Sequence, residues 1–276
     1  MALNKNSTLY VSGFVALVSI VCAFIVAAAA TGLANKQNEQ IAANTQRFVL
    51  KVSDIEFTEP TLQQIFTKDI DVRYVDRLTG NFINPPEDVK ADYDNLLVLS
   101  KFDSYVGDIP ASANIAGLKN NKVANVLKIY LVKNEQTGAI DKIILPFYGN
   151  GLWSVMYGFL AVDAKDANTI TGITYYQHGE TPGLGGEVDN PRFTAQFVGK
   201  KIYDLNGNNG NPSDPKINLV KIISPAEQDY QVNALTGATL TSNGVAAQLH
   251  FWLSDYGYAK FLEKVRTGEV NLNGGQ

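Results

Sequence analysis

The sequence predicts an α+β protein in which a single N-terminal transmembrane helix precedes a mixed α/β soluble domain. Three observations lead there. Residues Leu9 to Ala30 carry no charged side chain and are mostly apolar. From Val126 onward short apolar runs recur without the strand–helix–strand rhythm of a parallel sheet. Near the C-terminus, Val245, Leu249, Trp252 and Leu253 fall at helical spacing.

The apolar segment comes first. Its residues from Leu9 to Ala30 reach about 33 Å as a helix, enough for a hydrocarbon core about 30 Å thick. A cleaved signal peptide is the competing reading, with Lys5 in its basic region and Ala27 to Thr31 at its cleavage site. Signal cores run only about 7–15 residues, which favours an uncleaved anchor over residues 9–31. Val21 is bulky where a lipoprotein signal wants a small residue before Cys22. Lys5 lies before the span, and Lys36, Arg47 and Lys51 lie after it, so charge counting leaves the orientation open.

The remaining elements follow in order. After a tail over residues 1–8 and the span, the polar, alanine-containing run Asn35 to Asn44 continues as a juxtamembrane helix. Leu62, Ile65 and Phe66 give a helical pattern, Val72, Tyr74 and Val75 a strand, and Asn84-Pro85-Pro86 a loop. Residues 32–119 therefore read as a juxtamembrane and mixed α/β region. Leu127, Ile129 and Leu131 alternate with Lys128, Tyr130 and Val132, Gln136-Thr137-Gly138 is a hairpin turn, and Ala139 to Phe147 is the return strand. Strands follow at Val155–Val162, Ile170–Tyr176 and Ile217–Ile223. Asn206 to Pro215, rich in Asn, Gly and Pro, is a surface loop. Thr241 or Ser242 caps a helix that ends near Gly257. The main domain spans residues 120–265 and a C-terminal tail covers 266–276, frayed from Asn271.

Composition narrows the chemistry. The chain has 276 residues, 45% hydrophobic and 18% charged, with a formal net charge of -4 and no basic block, so nucleic acid is not a partner. One cysteine and two histidines, His178 and His250, exclude intrachain disulfides, cysteine-ligated clusters and c-type haem, and argue against a Cys/His zinc site. Any electron chemistry must use an organic cofactor not linked through cysteine.

Three segments carry candidate chemistry. Leu235-Thr236-Gly237-Ala238-Thr239-Leu240-Thr241-Ser242 places hydroxyls and small residues before a helix, whose N-terminus suits a phosphate. A plain helix cap explains the same residues. His178-Gly179-Glu180-Thr181-Pro182-Gly183-Leu184-Gly185-Gly186 matches neither a Walker A loop nor a dinucleotide fingerprint. Its Glu180 and Thr181 can bond the hydroxyls of a ribityl or sugar chain, and glycines such as Gly183 let main chain approach a flat ring. A structural turn is the alternative. Trp153, in Gly151-Leu152-Trp153-Ser154, can stack on an aromatic cofactor or belong to the core. Lys221, near a strand end, faces an anion or solvent, and His178 is a poor candidate for a proton donor.

Together, the single span, Gly-Leu-Trp-Ser-Val-Met-Tyr-Gly-Phe, His-Gly-Glu-Thr-Pro-Gly-Leu-Gly and Thr-Gly-Ala-Thr-Leu-Thr-Ser resemble the NqrC family, the C subunits of the bacterial Na+-translocating NADH:quinone reductases. The resemblance implies FMN held by a phosphoester on Thr239, the last threonine of Thr-Gly-Ala-Thr, rather than on Thr236 or Thr241. It implies a flavin transferase that makes the bond from FAD. The phosphate would have Thr236, Gly237, Ala238, Thr241 and Lys221 around it. Trp153 and Leu184 would bracket the ring, and Glu180 and Thr181 would hold the polar chain. Also implied are an inner-membrane anchor with a periplasmic domain, subunits A, B, D, E and F as partners, and a one-electron relay. The motif usually has an acid where this chain has Asn233. The G subunit of the Rnf electron-transport complex is a near relative that shares the anchor and the threonine motif. The Gly-Leu-Trp-Ser-Val-Met-Tyr segment and the long region before residue 120 look more like the sodium-pump protein. A non-redox, membrane-tethered assembly module is the alternative from another class.

Overall fold

The computed structural model describes residues 7–206 and 214–274. Most of the N-terminal tail, the centre of the Asn206–Pro215 loop and the last two residues lie outside them. The chain divides into two compact units, residues 1–46 and 47–276. Helix α1 runs unbroken over Thr8–Val52, so the span and the juxtamembrane helix are one element. In the first unit, Thr8–Leu33 is long and apolar enough to cross a membrane, and its side chains other than Tyr10 are exposed. Apolar residues left in water would be costly, so a lipid environment suits them. In the second unit the last turn of α1 buries Val49, Leu50 and Val52.

The second unit is built on one antiparallel sheet. Helix α2 (Leu62–Asp69) leads directly into β1 (Ile70–Asp76), followed by β2 (Phe82–Ile83) and α3 (Glu87–Ala91). Strand β3 (Val106–Asp108) pairs with β4 (Lys122–Ala124) in a small separate ribbon. Then come β5 (Val126–Lys133), β6 (Ile140–Asn150), β7 (Val155–Asp163) and β8 (Ile170–Gln177). The short α4 (Pro191–Thr194) follows, then β9 (Asn218–Val220) and β10 (Gln231–Asn233), a parallel pair. The chain closes with α5 (Thr239–Trp252) and α6 (Ala259–Thr267). The six-stranded sheet has the order β2-β1-β5-β6-β7-β8.

The expected boundary at residue 120 is not a structural break. Strand β1 pairs with β5 from Ile70↔Val132 to Asp76↔Val126, so the sheet takes two strands from the earlier region. Successive residues on a strand face opposite sides, and both sides here are covered. Ile143, Leu145, Phe147, Leu160 and Val162 join a core shared with Val245, Leu249, Trp252, Phe261 and Leu262. On the other face Phe159 packs between Tyr130 and Tyr176, which in turn contact Phe66 of α2 and Phe48 of α1.

The return strand of the hairpin begins at Ile140, and Gly138 takes the left-handed conformation that the turn requires (φ 70°). Strands β5 and β6 pair only up to Tyr130↔Ile144. Where they part, side chains occupy the backbone groups. Trp252 Nε1 donates to the Tyr148 carbonyl (2.6 Å) and the Tyr258 hydroxyl to that of Pro146 (2.7 Å). The Tyr93 hydroxyl accepts from the Lys128 N–H and donates to Val126 O.

The C-terminal tail is packed rather than frayed through Gly274. Val270 and Leu272 are buried, Asn273 Oδ1 accepts the Ile140 N–H, and Arg73 donates to Gly274 O.

Candidate functional site

Helix α5 starts three or four residues earlier than expected. Thr239 is its first residue, Ala238 is the flanking position, and no side chain caps the end. The two expected caps are committed elsewhere. Thr241 Oγ1 donates to Glu180 Oε2 (2.7 Å). Ser242 Oγ accepts the Leu235 N–H (2.9 Å) and donates to Ala238 O (3.0 Å), folding the 235–238 segment onto the helix. The first N–H groups of α5 therefore have no side-chain acceptor, which leaves its positive end open to an anion. The helix ends at Trp252 rather than near Gly257. The chain turns back there, with the Tyr258 N–H on Trp252 O (2.6 Å), and a Cβ at Gly257 would lie 2.1 Å from that oxygen.

The three hydroxyls of the motif are not equivalent. Thr236 and Thr239 are exposed, whereas Thr241 is 1% exposed. Gly237 has φ 74°, and a Cβ there would lie 3.2 Å from Leu184 Cδ2, so the threonine loop and the glycine loop meet at this point. Ala238 is buried beneath them. Lys221 is exposed one residue past β9. The β9 residue before it, Val220, pairs with Asn233 and accepts the Ala234 N–H (2.8 Å). Asn233 donates through N and Nδ2 to Gln196 Oε1 (3.0 and 3.1 Å). A carboxylate could not make the second of these bonds.

Glu180 does not sit where a ligand would meet it. Its side chain turns inward, and the residue is 5% exposed. Oε1 accepts the N–H groups of Trp153 (2.9 Å) and Ser154 (3.2 Å) and the Ser154 hydroxyl (3.4 Å). Oε2 accepts the Leu152 N–H (3.2 Å) and the Thr241 hydroxyl. Burial alone would raise its pKa. The hydrogen bonds from Thr241, Trp153, Leu152 and Ser154 outweigh that, and the pKa falls below the ordinary glutamate value. The expectation that Glu180 holds a polar cofactor chain is thus corrected: protein donors already fill its lone pairs. Thr181 is exposed, and its carbonyl closes the glycine loop by accepting from Leu184 N (3.1 Å) and Gly186 N (2.9 Å).

The surface around Thr239 carries large apolar groups facing water. Trp153 is 71% exposed, Leu240 59%, Leu184 46% and Leu152 43%. Trp153 is therefore not a core residue. Gly183, with φ 76°, has open space where a side chain would be. The Nδ1 atom of His178 accepts the Glu180 N–H (3.3 Å), and its Nε2 faces Asp189 Oδ2 (3.4 Å). No group of three or more His, Cys, Asp or Glu among the described residues could hold a metal ion.

Two contributors escape the sequence pattern. Gly244 packs so closely on the turn that a Cβ would lie 2.5 Å from Asn150 O. Gln248 is fully buried, donates to Gly149 O and Asn150 O, and accepts from the Tyr175 hydroxyl. The spacing Thr241, Gly244, Gln248 on one helix face is the available signal.

The family model described as the FMN-binding domain matches residues 151–254, which contain all three motif segments. The chain is 41% identical to the C subunit of the Na(+)-translocating NADH-quinone reductase of Vibrio campbellii, over 98% of this chain and 100% of that one. It is 42% identical to the corresponding protein of Yersinia pestis, over 93% and 92%. NqrC of Shewanella oneidensis superposes with a TM-score of 0.70 at 28% identity, over 85% of this chain and 100% of that one. The corresponding protein of Parabacteroides distasonis gives 0.59 at 25% identity, over 83% and 96%. With near-complete coverage at this identity, and with the matched domain centred on the loops just described, the chain belongs to the NqrC family, the C subunits of the Na(+)-translocating NADH-quinone reductases.

Proposed function

We propose that this chain is an electron-carrier component of the sodium-translocating NADH:quinone reductase and bears FMN as a phosphoester on Thr239. The observation that carries the attachment site is the state of the hydroxyls. Thr239 is exposed in the first turn of an uncapped helix, whereas Thr241 gives its hydrogen to Glu180 and Ser242 is bonded on both sides. An esterified phosphate at Thr239 would meet open N–H donors and the positive end of α5. Gly237 and Ala238 bring main chain near without bulk, and Thr236 and Lys221 supply a hydroxyl and a cation from neighbouring loops. The residues present therefore fit the group.

Bound there, the flavin supplies a centre that takes up and gives up electrons one at a time. The chain's own residues hold and shield it. Trp153 and Leu184 offer the apolar surface that a flat ring would cover, and burying that surface favours attachment by roughly 25 cal/mol per Å². A covalent link removes any dissociation equilibrium. The charged residues named above have no step of proton transfer to perform. The same reading includes attachment by a flavin transferase, subunits A, B, D, E and F as partners, and an inner-membrane anchor with a periplasmic domain. Mass spectrometry of the peptide containing Thr236 to Ser242, from the native membranes, tests it. A phosphate-linked FMN on Thr239 is expected, and an unmodified peptide would refute the assignment.

A further inference from the structure

We propose that Glu180 is a positioning residue: its buried carboxylate locks the Gly151–Ser154 turn to α5 so that Trp153 is held outward as a preset platform for the flavin ring. This rests on the flavin reading above. The N–H groups of Leu152, Trp153 and Ser154 are consecutive and converge on one carboxylate, an arrangement that elsewhere binds free anions. Here an internal side chain fills it, so the turn is fixed without a ligand. The same carboxylate reaches α5 through Thr241, two residues from the flavin-bearing position.

The turn is held from its other side as well. Gln248 donates to the Gly149 and Asn150 carbonyls, and Gly244 lets α5 approach Asn150 at backbone distance. The glycine loop is fitted just as closely. A Cβ at Gly185 would lie 2.5 Å from Thr241 Oγ1 and 2.9 Å from Glu180 Oε2, and one at Gly151 would lie 2.6 Å from Glu180 Oε1. A turn this constrained that still exposes an indole has spent its packing on orienting the ring rather than hiding it. A ring fixed beforehand loses little side-chain entropy when a partner stacks on it.

The test compares full-length protein with E180Q, first without flavin, from a host lacking the transferase. An amide offers one acceptor oxygen, so E180Q sets an NH2 against the Leu152 N–H or the Trp153 and Ser154 pair. Hydrogen exchange at residues 152–154 should quicken about tenfold or more, the loss expected for a charge-assisted hydrogen bond, while β6 and β7 amides stay unchanged. In flavin-loaded membranes, emission per bound flavin should rise at least about twofold in E180Q, as in W153A, because the ring is no longer stacked. T241V, which keeps all three N–H bonds, should change both readings less. Unchanged exchange at 152–154, or faster exchange spread over the strands, overturns the proposal, as does unchanged emission in E180Q. Absence of flavin from the wild type would refute the flavin assignment instead, and the exchange result decides the role of Glu180 regardless.

Discussion

The two loops that flank the exposed apolar patch handle their backbone groups in opposite ways. In the Gly151–Ser154 turn, the N–H groups of Leu152, Trp153 and Ser154 find acceptors, and the exposed part is an apolar side chain. In the threonine loop, the start of α5 has no side-chain acceptor, and the exposed part is a hydroxyl. The first loop is finished without a ligand, whereas the second has bonding capacity in reserve. Unfilled donors beside a solvent-facing nucleophile are what a covalently held anion needs, and a completed turn is what a rigid contact surface needs.

The largest effect that would break this contrast falls on attachment. Thr239→Val should abolish the fluorescent flavin band on denaturing gels, while Thr241→Val should keep it, because the Thr241 hydroxyl is buried and already engaged. A band surviving in Thr239→Val would mean that another hydroxyl is the acceptor. Next comes packing of the finished turn. Gly244→Ala sets a Cβ 2.5 Å from the Asn150 oxygen and should cost about 1–3 kcal/mol in urea unfolding, as overpacking does.

Acid should separate the loops more gently. Glu180 and Asp166 both have pKa values below their ordinary ones. At Asp166, burial opposes ionisation, but bonds from Thr169, Asn168 and Lys201 prevail and bring it down from 3.8 to about 2. A lowered folded value means the folded state binds the proton less readily than the unfolded chain. The stabilisation is thus present above the ordinary carboxylate range and disappears as pH falls through the folded value, for Asp166 between 3.8 and about 2. E180Q should flatten the acid limb of a stability-against-pH curve relative to wild type; identical curves would deny Glu180 this part. The smallest effect concerns the platform itself. Trp153→Ala should change the unfolding free energy of flavin-free protein by less than about 0.5 kcal/mol, since the ring is mostly in water.

Local pattern makes much of this molecule legible in advance. The span, the β5–β6 hairpin and the strands β7 and β8 follow from charge-free length, period-two alternation and a Gly turn. Membership in the NqrC family rather than among the Rnf relatives is readable from the Gly-Leu-Trp-Ser segment, and the relatives named above agree. Residue type alone misplaces the start of α5, because Thr241 and Ser242 are good caps and only tertiary contacts divert them to Glu180 and Leu235. Glu180 reads as a ligand for the same reason: its donors lie 26 to 61 residues away in sequence. The division at residue 120 fails because β1 finds its partner across an irregular connection that carries no periodic signal.

The parting of β5 from β6 has a consequence for assembly. In the middle of the molecule, the carbonyls of Pro146 and Tyr148 depend on a phenol and an indole contributed more than a hundred residues later. Until the last two helices arrive, those oxygens must remain hydrated, and the cleft between the strands cannot close. A sheet formed without α5 and the residues just after it would thus have an unsealed seam, so docking of this segment is the step that closes the fold.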